Sequence, residues 1–138
     1  MARPIPNEPT KYYRAAADRL GDAQVLLAGD RTTGAVYLAG YAVECALKVL
    51  ILSATPAAAH AQALAGFRTK RGHDHERLRS LYFKKGGARF PPDIAQHFAF
   101  VNGWTTDLRY QTKKIPMDDA EDFLESTTLI LEWVKRRL

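Results

Sequence analysis

The sequence has 138 residues, of which 46% are hydrophobic and 25% are charged, and its net charge is +5 at neutral pH. This length suits one domain with a single core, and the composition is that of a soluble globular protein. The only cysteine, Cys45, excludes an intrachain disulfide, which is typical of a reducing compartment. The first residues contain no apolar segment of the secretory kind, so we expect a cytoplasmic protein.

A first helix is predicted after a proline-containing start. Residues 1–9 carry three prolines and are expected to form an extended lead-in. Thr10 is a suitable N-cap, because its hydroxyl can accept a hydrogen bond from a free backbone N–H. From there apolar residues recur at helical spacing to about Ala28.

The segment 36–52 is apolar on most faces, which is typical of a central helix with neighbours around it. Its one polar stripe has the 4, 3, 4 spacing that stacks side chains on a single helix face: Tyr37, Tyr41, Glu44 and Lys48. Two charges interrupt an apolar run shorter than the roughly 20 residues of a membrane span, so we expect no membrane insertion. The stripe is either a solvated face or a cleft or dimer-facing edge.

Two short helices are predicted next. The alanine-rich residues 57–65 favour a short helix, with Gly66 as its stop. Asp74 is expected to cap the following helix, which ends near Gly86.

The last third of the chain predicts two further helices. One opens at the proline pair 91–92, where proline is tolerated, and ends at residues 102–103. Residues 104–116 lack a period and are expected to form an ordered loop. The final helix is predicted to start with a capping box formed by Asp118 and Glu121.

No strand-like alternation of useful length interrupts this pattern. The sequence therefore predicts an all-α protein, an antiparallel up-and-down bundle of four to five helices. Residues 1–138 are expected to form a single domain.

Positive charge is concentrated in one stretch. Residues 66–89 hold eight basic and two acidic residues, a local net charge of +6. The basic residues are Arg68, Lys70, Arg71, Arg77, Arg79, Lys84, Lys85 and Arg89. Aromatic residues lie among them, as expected for binding a phosphate backbone and stacking on bases. The alternative is a solvated face above core aromatics.

His73 and His75 flank Asp74, and His60 lies upstream. A metal site needs three or four converging ligands, whereas a helix points the rings of a His-x-His pair about 200° apart. We therefore expect no metal and no cofactor. The sequence also lacks a Ser-His-Asp grouping, a P-loop or a Gly-rich dinucleotide motif.

Arg109 and Tyr110 lie in the aperiodic segment, near Trp104 and Asp107. Charged and aromatic residues on an ordered loop often take part in binding. In the alternative interpretation, the two aromatic residues plug the end of the bundle while Arg109 pairs with Asp107.

Three segments in the same order resemble the HEPN domain family. Residues 37–48 (YLAGYAVECALK) resemble its second-helix signature, 72–78 (GHDHERL) the opening of its next helix, and 107–110 (DLRY) its Arg-Tyr segment. The resemblance covers about residues 12–135. It implies a helical bundle, usually a homodimer, often encoded beside a minimal nucleotidyltransferase in a two-gene, toxin–antitoxin-like system.

The resemblance also implies an activity, since many proteins of this family are metal-independent ribonucleases in which four to six residues separate an Arg from a following His. Arg would stabilise the phosphorane charge and His would move a proton. No His stands at that spacing after Arg109. Arg68 and His73 satisfy the spacing, but before the third helix rather than near the last one, and they are the catalytic candidates.

The leading hypothesis is a dimeric HEPN-type module that binds nucleotide or RNA and has a nucleotidyltransferase-domain protein as its partner. The predicted binding residues are Arg68, Lys70, Arg71, His75, Arg109 and Tyr110. One alternative is a metal-independent endoribonuclease. The other is a structural scaffold whose polar stripe mates with a second chain.

Overall fold

The computed structural model describes residues 8–138, which form α-helices and short 3₁₀ helices without any β-strand. The α-helices are α1 (Glu8–Ala28), α2 (Thr32–Ser53), α3 (His60–Phe67), α4 (His75–Lys84), α5 (Pro92–Val101) and α6 (Met117–Lys135). The 3₁₀ helices are Ala57–Ala59, Lys70–His73 and Thr106–Tyr110. The predicted all-α fold is confirmed.

The helix α2 lies at the centre, in contact with α1, α3, α4 and α6. It has the length and apolar composition of a membrane span, but 78% of its most apolar stretch is buried inside the protein. Val43, Leu47 and Ile51 are fully buried, and each such side chain contributes about 1.5–3 kcal/mol relative to an exposed one. The apolar pattern of α2 therefore reflects the protein core.

The start of α1 differs from the prediction. Residues 1–7, part of the expected extended lead-in, lie outside the described residues. The helix begins at Glu8, so Pro9 is helical and Thr10 is not the N-cap. Proline fits a first helical turn because the N–H that it lacks has no partner there.

The stop predicted at Gly66 is also wrong, since α3 continues to Phe67. The Phe67 ring is buried, with the Lys48 ammonium 5.2 Å from its centroid and the Tyr12 ring 5.8 Å away. Burying this ring offsets the low helix propensity of one glycine, which costs about 1 kcal/mol. Of the predicted short helix, residues 57–59 form a separate 3₁₀ turn.

The helix α4 is capped as predicted. The carboxylate of Asp74 accepts a hydrogen bond from the backbone N–H of Arg77 at 3.1 Å. The helix ends at Lys84, and Gly86 then adopts a φ of +92°, which glycine tolerates best. The helix α5 runs from Pro92 to Val101, also as predicted.

The helix α6 starts without the predicted capping box. Its N-cap is Pro116, which offers no capping side chain, and Met117 is the first helical residue. Asp118 therefore lies inside the first turn rather than at the N-cap. Its negative charge still suits the positive end of the helix dipole.

The segment before α6 is an ordered connection, as predicted. Within it, Thr106–Tyr110 forms a 3₁₀ helix against α2. Next, the hydroxyl of Thr32 donates to the carbonyl of Ile115 at 2.5 Å, and the N–H of Ile115 donates to the Thr33 hydroxyl at 3.1 Å. These bonds tie the segment to the start of α2.

Candidate functional site

The polar stripe of α2 is covered by other parts of the chain. Glu44 and Lys48 are only 4% and 5% exposed, and Lys48 Nζ lies 2.7 Å from Glu44 Oε2. The Lys48 ammonium also lies over the rings of Phe67 and Tyr12, 5.2 and 5.9 Å from their centroids. The interpretation of the stripe as a solvated face is therefore wrong for these two charges.

His73 is held by the second carboxylate oxygen of Glu44. The distance from His73 Nδ1 to Glu44 Oε1 is 2.8 Å, while 46% of the His73 side chain is exposed. When the ring is neutral, Nδ1–H donates to the carboxylate and Nε2 keeps its lone pair. His73 is thus an oriented imidazole, partly open to solvent, above a buried acid.

Gly72 makes this placement of His73 possible. A Cβ at residue 72 would overlap the carbonyl oxygen of Phe67. Only glycine therefore lets the backbone pass this close to the end of α3. The 3₁₀ helix Lys70–His73 consequently turns at Gly72, and His73 at its end reaches Glu44 of α2.

Two tyrosines extend the cluster along the same helix face. The hydroxyls of Tyr37 and Tyr41 lie 3.2 Å apart, and the Tyr41 ring meets the His73 ring edge-on at 5.9 Å. Burial raises the pKa of Tyr41 to about 12, the hydrogen bond to Tyr37 adds to the rise, and the nearby Arg109 opposes it. Both His73 and Arg109 therefore border Tyr41.

Arg109 and Tyr110 form an exposed pair. The Arg109 guanidinium lies 5.0 Å from the centre of the Tyr110 ring, and Tyr110 is 73% exposed. Trp104, by contrast, is buried. The structure thus agrees with only one part of the alternative interpretation, the burial of Trp104. Tyr110 is exposed, and no ion pair joins Arg109 to Asp107 among the described residues.

Trp104 packs between α2 and α4. Its ring stacks on His75 at 4.9 Å with an interplanar angle of 8°, and a Cβ at Gly40 would overlap it. His75 Nε2 bonds to the Gly40 carbonyl at 3.0 Å. These contacts fix the aperiodic segment and the start of α4 to one glycine of the central helix.

His75 is consequently a core residue, which corrects the prediction that it contacts nucleotide or RNA. It is only 3% exposed. Burial lowers its pKa to about 4, so the ring is neutral at physiological pH and offers no charge to a phosphate.

The other predicted basic residues lie at the surface. Arg68 follows the last residue of α3, and both Arg68 and Arg71 are exposed. Within residues 8–138, no hydrogen bond or ion pair joins Arg68 to His73, whose polar partner is Glu44. The side chain of Lys70, another predicted binding residue, lies outside the described part of the structure.

The histidines have separate partners. His60 Nε2 lies within 3.0 Å of two carbonyl oxygens, that of Leu52 in the last turn of α2 and that of Thr55 just beyond the helix. No group of three or more His, Cys, Asp or Glu residues in the described part could hold a metal ion.

A chain of shallow cavities follows α4 from His73. A cavity of about 250 Å³ lies beside His73 and is lined also by Asn102 and Thr105. A second cavity, of about 350 Å³, includes Arg71 and Arg77. Asp74 and Glu76 line both cavities, so carboxylates as well as His73 and basic side chains border this surface.

Comparison with known proteins agrees with this architecture. The sequence profile of the HEPN domain matches residues 10–137. The chain belongs to the HEPN domain family. This confirms the resemblance of the three segments. No curated protein gives a significant match.

The fold of this HEPN domain is also similar to a solved structure. That crystal structure is described as an archaeal HEPN homologue, with a TM-score of 0.66 and 23% sequence identity. The similarity covers 99% of this chain and 98% of that chain. At this identity the likeness concerns the fold alone.

Proposed function

We propose that this HEPN domain is a binding module for RNA or nucleotides. Its binding surface comprises the exposed basic residues of 68–89 together with Arg109 and Tyr110. The observation that carries the proposal is that these cations are exposed and form no ion pair within the described residues. They are Arg68, Arg71, Arg77, Lys84, Lys85 and Arg89.

Other exposed cations, among them Lys11, Arg14 and Arg136, also form no ion pair in the described chain, so the density of unpaired cations is what distinguishes residues 68–89. Two cations elsewhere do have acidic partners. Arg19 lies 3.0 Å from Asp22, and Lys114 lies 2.6 Å from Asp30. The unpaired charge of residues 68–89 is available to neutralise phosphates, which releases counterions and strengthens binding at low salt. The exposed ring of Tyr110, beneath a guanidinium, adds a surface on which a base can stack.

The test is binding of a short single-stranded RNA at low salt, measured by fluorescence anisotropy. We expect the triple variant Arg68→Ala/Lys70→Ala/Arg71→Ala to weaken binding at least tenfold. A control variant loses the same charge from α1 and the end of α6: Lys11→Ala, Arg14→Ala and Arg136→Ala. Equal affinity of the wild type and the first variant would refute the proposed surface.

A second candidate function is a metal-independent endoribonuclease, favoured by the geometry of His73. A buried carboxylate orients its imidazole, an arrangement that suits general base catalysis. Arg109 borders the same tyrosine pair and supplies a cation for a phosphorane. Because His73 and Arg109 both lie near Tyr41, whereas no bond joins Arg68 to His73 in the described chain, we take Arg109 as the partner of His73.

This candidate predicts RNA cleavage in the presence of EDTA. We expect His73→Ala and Arg109→Ala each to abolish it and Arg68→Ala to leave most of it. Cleavage that persists in His73→Ala would point to a contaminating nuclease and rule out the assignment.

We further propose a cytoplasmic homodimer with a nucleotidyltransferase-domain partner. Membership of the HEPN family supports the partner, and exposed apolar side chains at Val25, Phe100 and Leu129 offer contact surface. Sedimentation equilibrium tests the dimer, and co-purification with the product of a neighbouring nucleotidyltransferase gene tests the partner. A monomer at all workable concentrations would refute the dimer and the scaffold alternative.

A further inference from the structure

We infer that the groove between α4 and α5 is a subsite for one nucleotide, an inference that rests on the proposed RNA- or nucleotide-binding function. The groove encloses about 420 Å³, within the range of small-molecule sites, about 300–1,000 Å³. It is lined by Glu76, Arg79, Ser80, Phe83, Arg89 and Phe90. It thus combines aromatic rings, two guanidinium groups and one carboxylate.

The aromatic side of the groove has one fixed and one exposed ring. Phe90 stacks on the buried Phe98 at 4.5 Å and meets Phe83 at 5.0 Å. Phe83 itself is 42% exposed. An exposed ring supported from behind is the arrangement on which a base stacks with little loss of side-chain freedom.

The cationic side contains one oriented guanidinium. Arg79 donates to the amide oxygen of Asn102 at 2.7 Å, which fixes its plane and leaves other N–H groups free. Arg89 is exposed and has no ion-pair partner in the described chain. Guanidinium groups bind phosphate oxygens with paired hydrogen bonds.

The carboxylate of Glu76 decides between a nucleotide and a bare phosphate. It lines the same groove and repels a small anion. A nucleotide avoids this cost when an amino group of its base donates to the carboxylate, as cytosine N4 does. We therefore expect the groove to bind a nucleotide whose planar base carries an amino group.

The experiment is an NMR titration of the full chain with CMP, UMP and inorganic phosphate at low salt. We expect saturable shifts of α4 and α5 amides with CMP, weaker binding of UMP and no comparable shifts with phosphate. Phe83→Ala and Arg89→Ala should each weaken CMP binding about tenfold. Phe83→Trp keeps a stacking surface and should retain it, and Arg14→Ala on α1 should have no effect.

Unchanged CMP affinity in Phe83→Ala, or the same shifts with phosphate as with CMP, would overturn the subsite. An RNA oligomer titrated in parallel separates this result from the broader proposal. RNA binding by the wild type without any CMP binding in the groove refutes the subsite and leaves the proposed function standing. CMP binding in the groove without RNA binding supports the subsite and limits the ligand to nucleotides.

Discussion

Glu44 is the residue that joins the core to the candidate site. One of its oxygens binds the buried Lys48, and the other binds the partly exposed His73. Because both charges of the Glu44–Lys48 pair are out of water, each depends on the other. Glu44 therefore orients His73, and its pairing with Lys48 is also needed for the stability of the fold.

Replacing Glu44 by alanine is expected to lower the free energy of unfolding by about 3–5 kcal/mol, since it leaves Lys48 buried and unpaired. The measurement is urea denaturation at neutral pH. Asp22→Ala, which breaks the exposed pair with Arg19, is the control and should cost less than about 1 kcal/mol. A loss below 1 kcal/mol for Glu44→Ala would show that Lys48 is solvated.

His75 predicts a pH dependence of stability. Its pKa is lowered by burial from the usual 6.5 to about 4, so the unfolded chain binds a proton at higher pH than the folded one. The neutral His75 ring therefore contributes on the order of 3 kcal/mol to the free energy of unfolding above pH 6.5, and this contribution is lost as the pH falls towards 4. His75→Gln keeps a donor but does not titrate, so its stability should fall less over this range. Parallel curves for the two proteins would contradict the buried neutral ring.

Local and distant contacts differ in how far the sequence predicts them. The Asp74 cap was predictable, because its partner lies three residues away. The contact between His73 and Glu44 joins residues 29 positions apart. Neither periodicity nor spacing indicates such a pair. Both residues were predicted to be functional, but His73 as a catalytic candidate and Glu44 as part of the polar stripe.

At the scale of helices, Gly40 controls how α2, α4 and the segment before α6 meet. A Cβ there would overlap the Trp104 ring. We expect Gly40→Ala to destabilise the fold by about 1–3 kcal/mol and to shift tryptophan fluorescence, because the ring must move.

Gly21 supplies the matched control for that substitution. It lies inside α1, and a Cβ there meets nothing within 4 Å. Gly21→Ala should therefore stabilise by about 0.5–1 kcal/mol through helix propensity. Destabilisation of the same size at both glycines would contradict the packing of Trp104 on α2.

Helix ends show where tertiary contacts outweigh local signals. Gly66 is a good stop signal, yet α3 continues because Phe67 gains a buried position. At α6 the N-cap is Pro116, so Asp118 and Glu121 lie two positions further into the helix than a capping box requires. Helix type was predictable from the apolar pattern, whereas these ends depend on packing.

At the scale of the whole molecule, the pattern of α2 predicted the centre of the fold. Its apolar faces are buried against four other helices, and its polar stripe lies under His73 and Trp104. The basic stretch was also visible in the sequence. The sequence did not predict which residues of this stretch are buried, as His75 is, and which are exposed. That depends on the fold, because neighbouring residues on α4 face opposite environments.

We propose above all that the exposed cations of residues 68–89 bind phosphates. The most direct measurement is the salt dependence of affinity for a single-stranded RNA. Each lost phosphate contact should reduce the slope of log K against log salt by about 0.7. We predict a steep slope for the wild type, reduced by that amount in Arg77→Ala and unchanged in Arg14→Ala. A wild-type affinity that does not change with salt, or equal slopes in all three proteins, would contradict the claim.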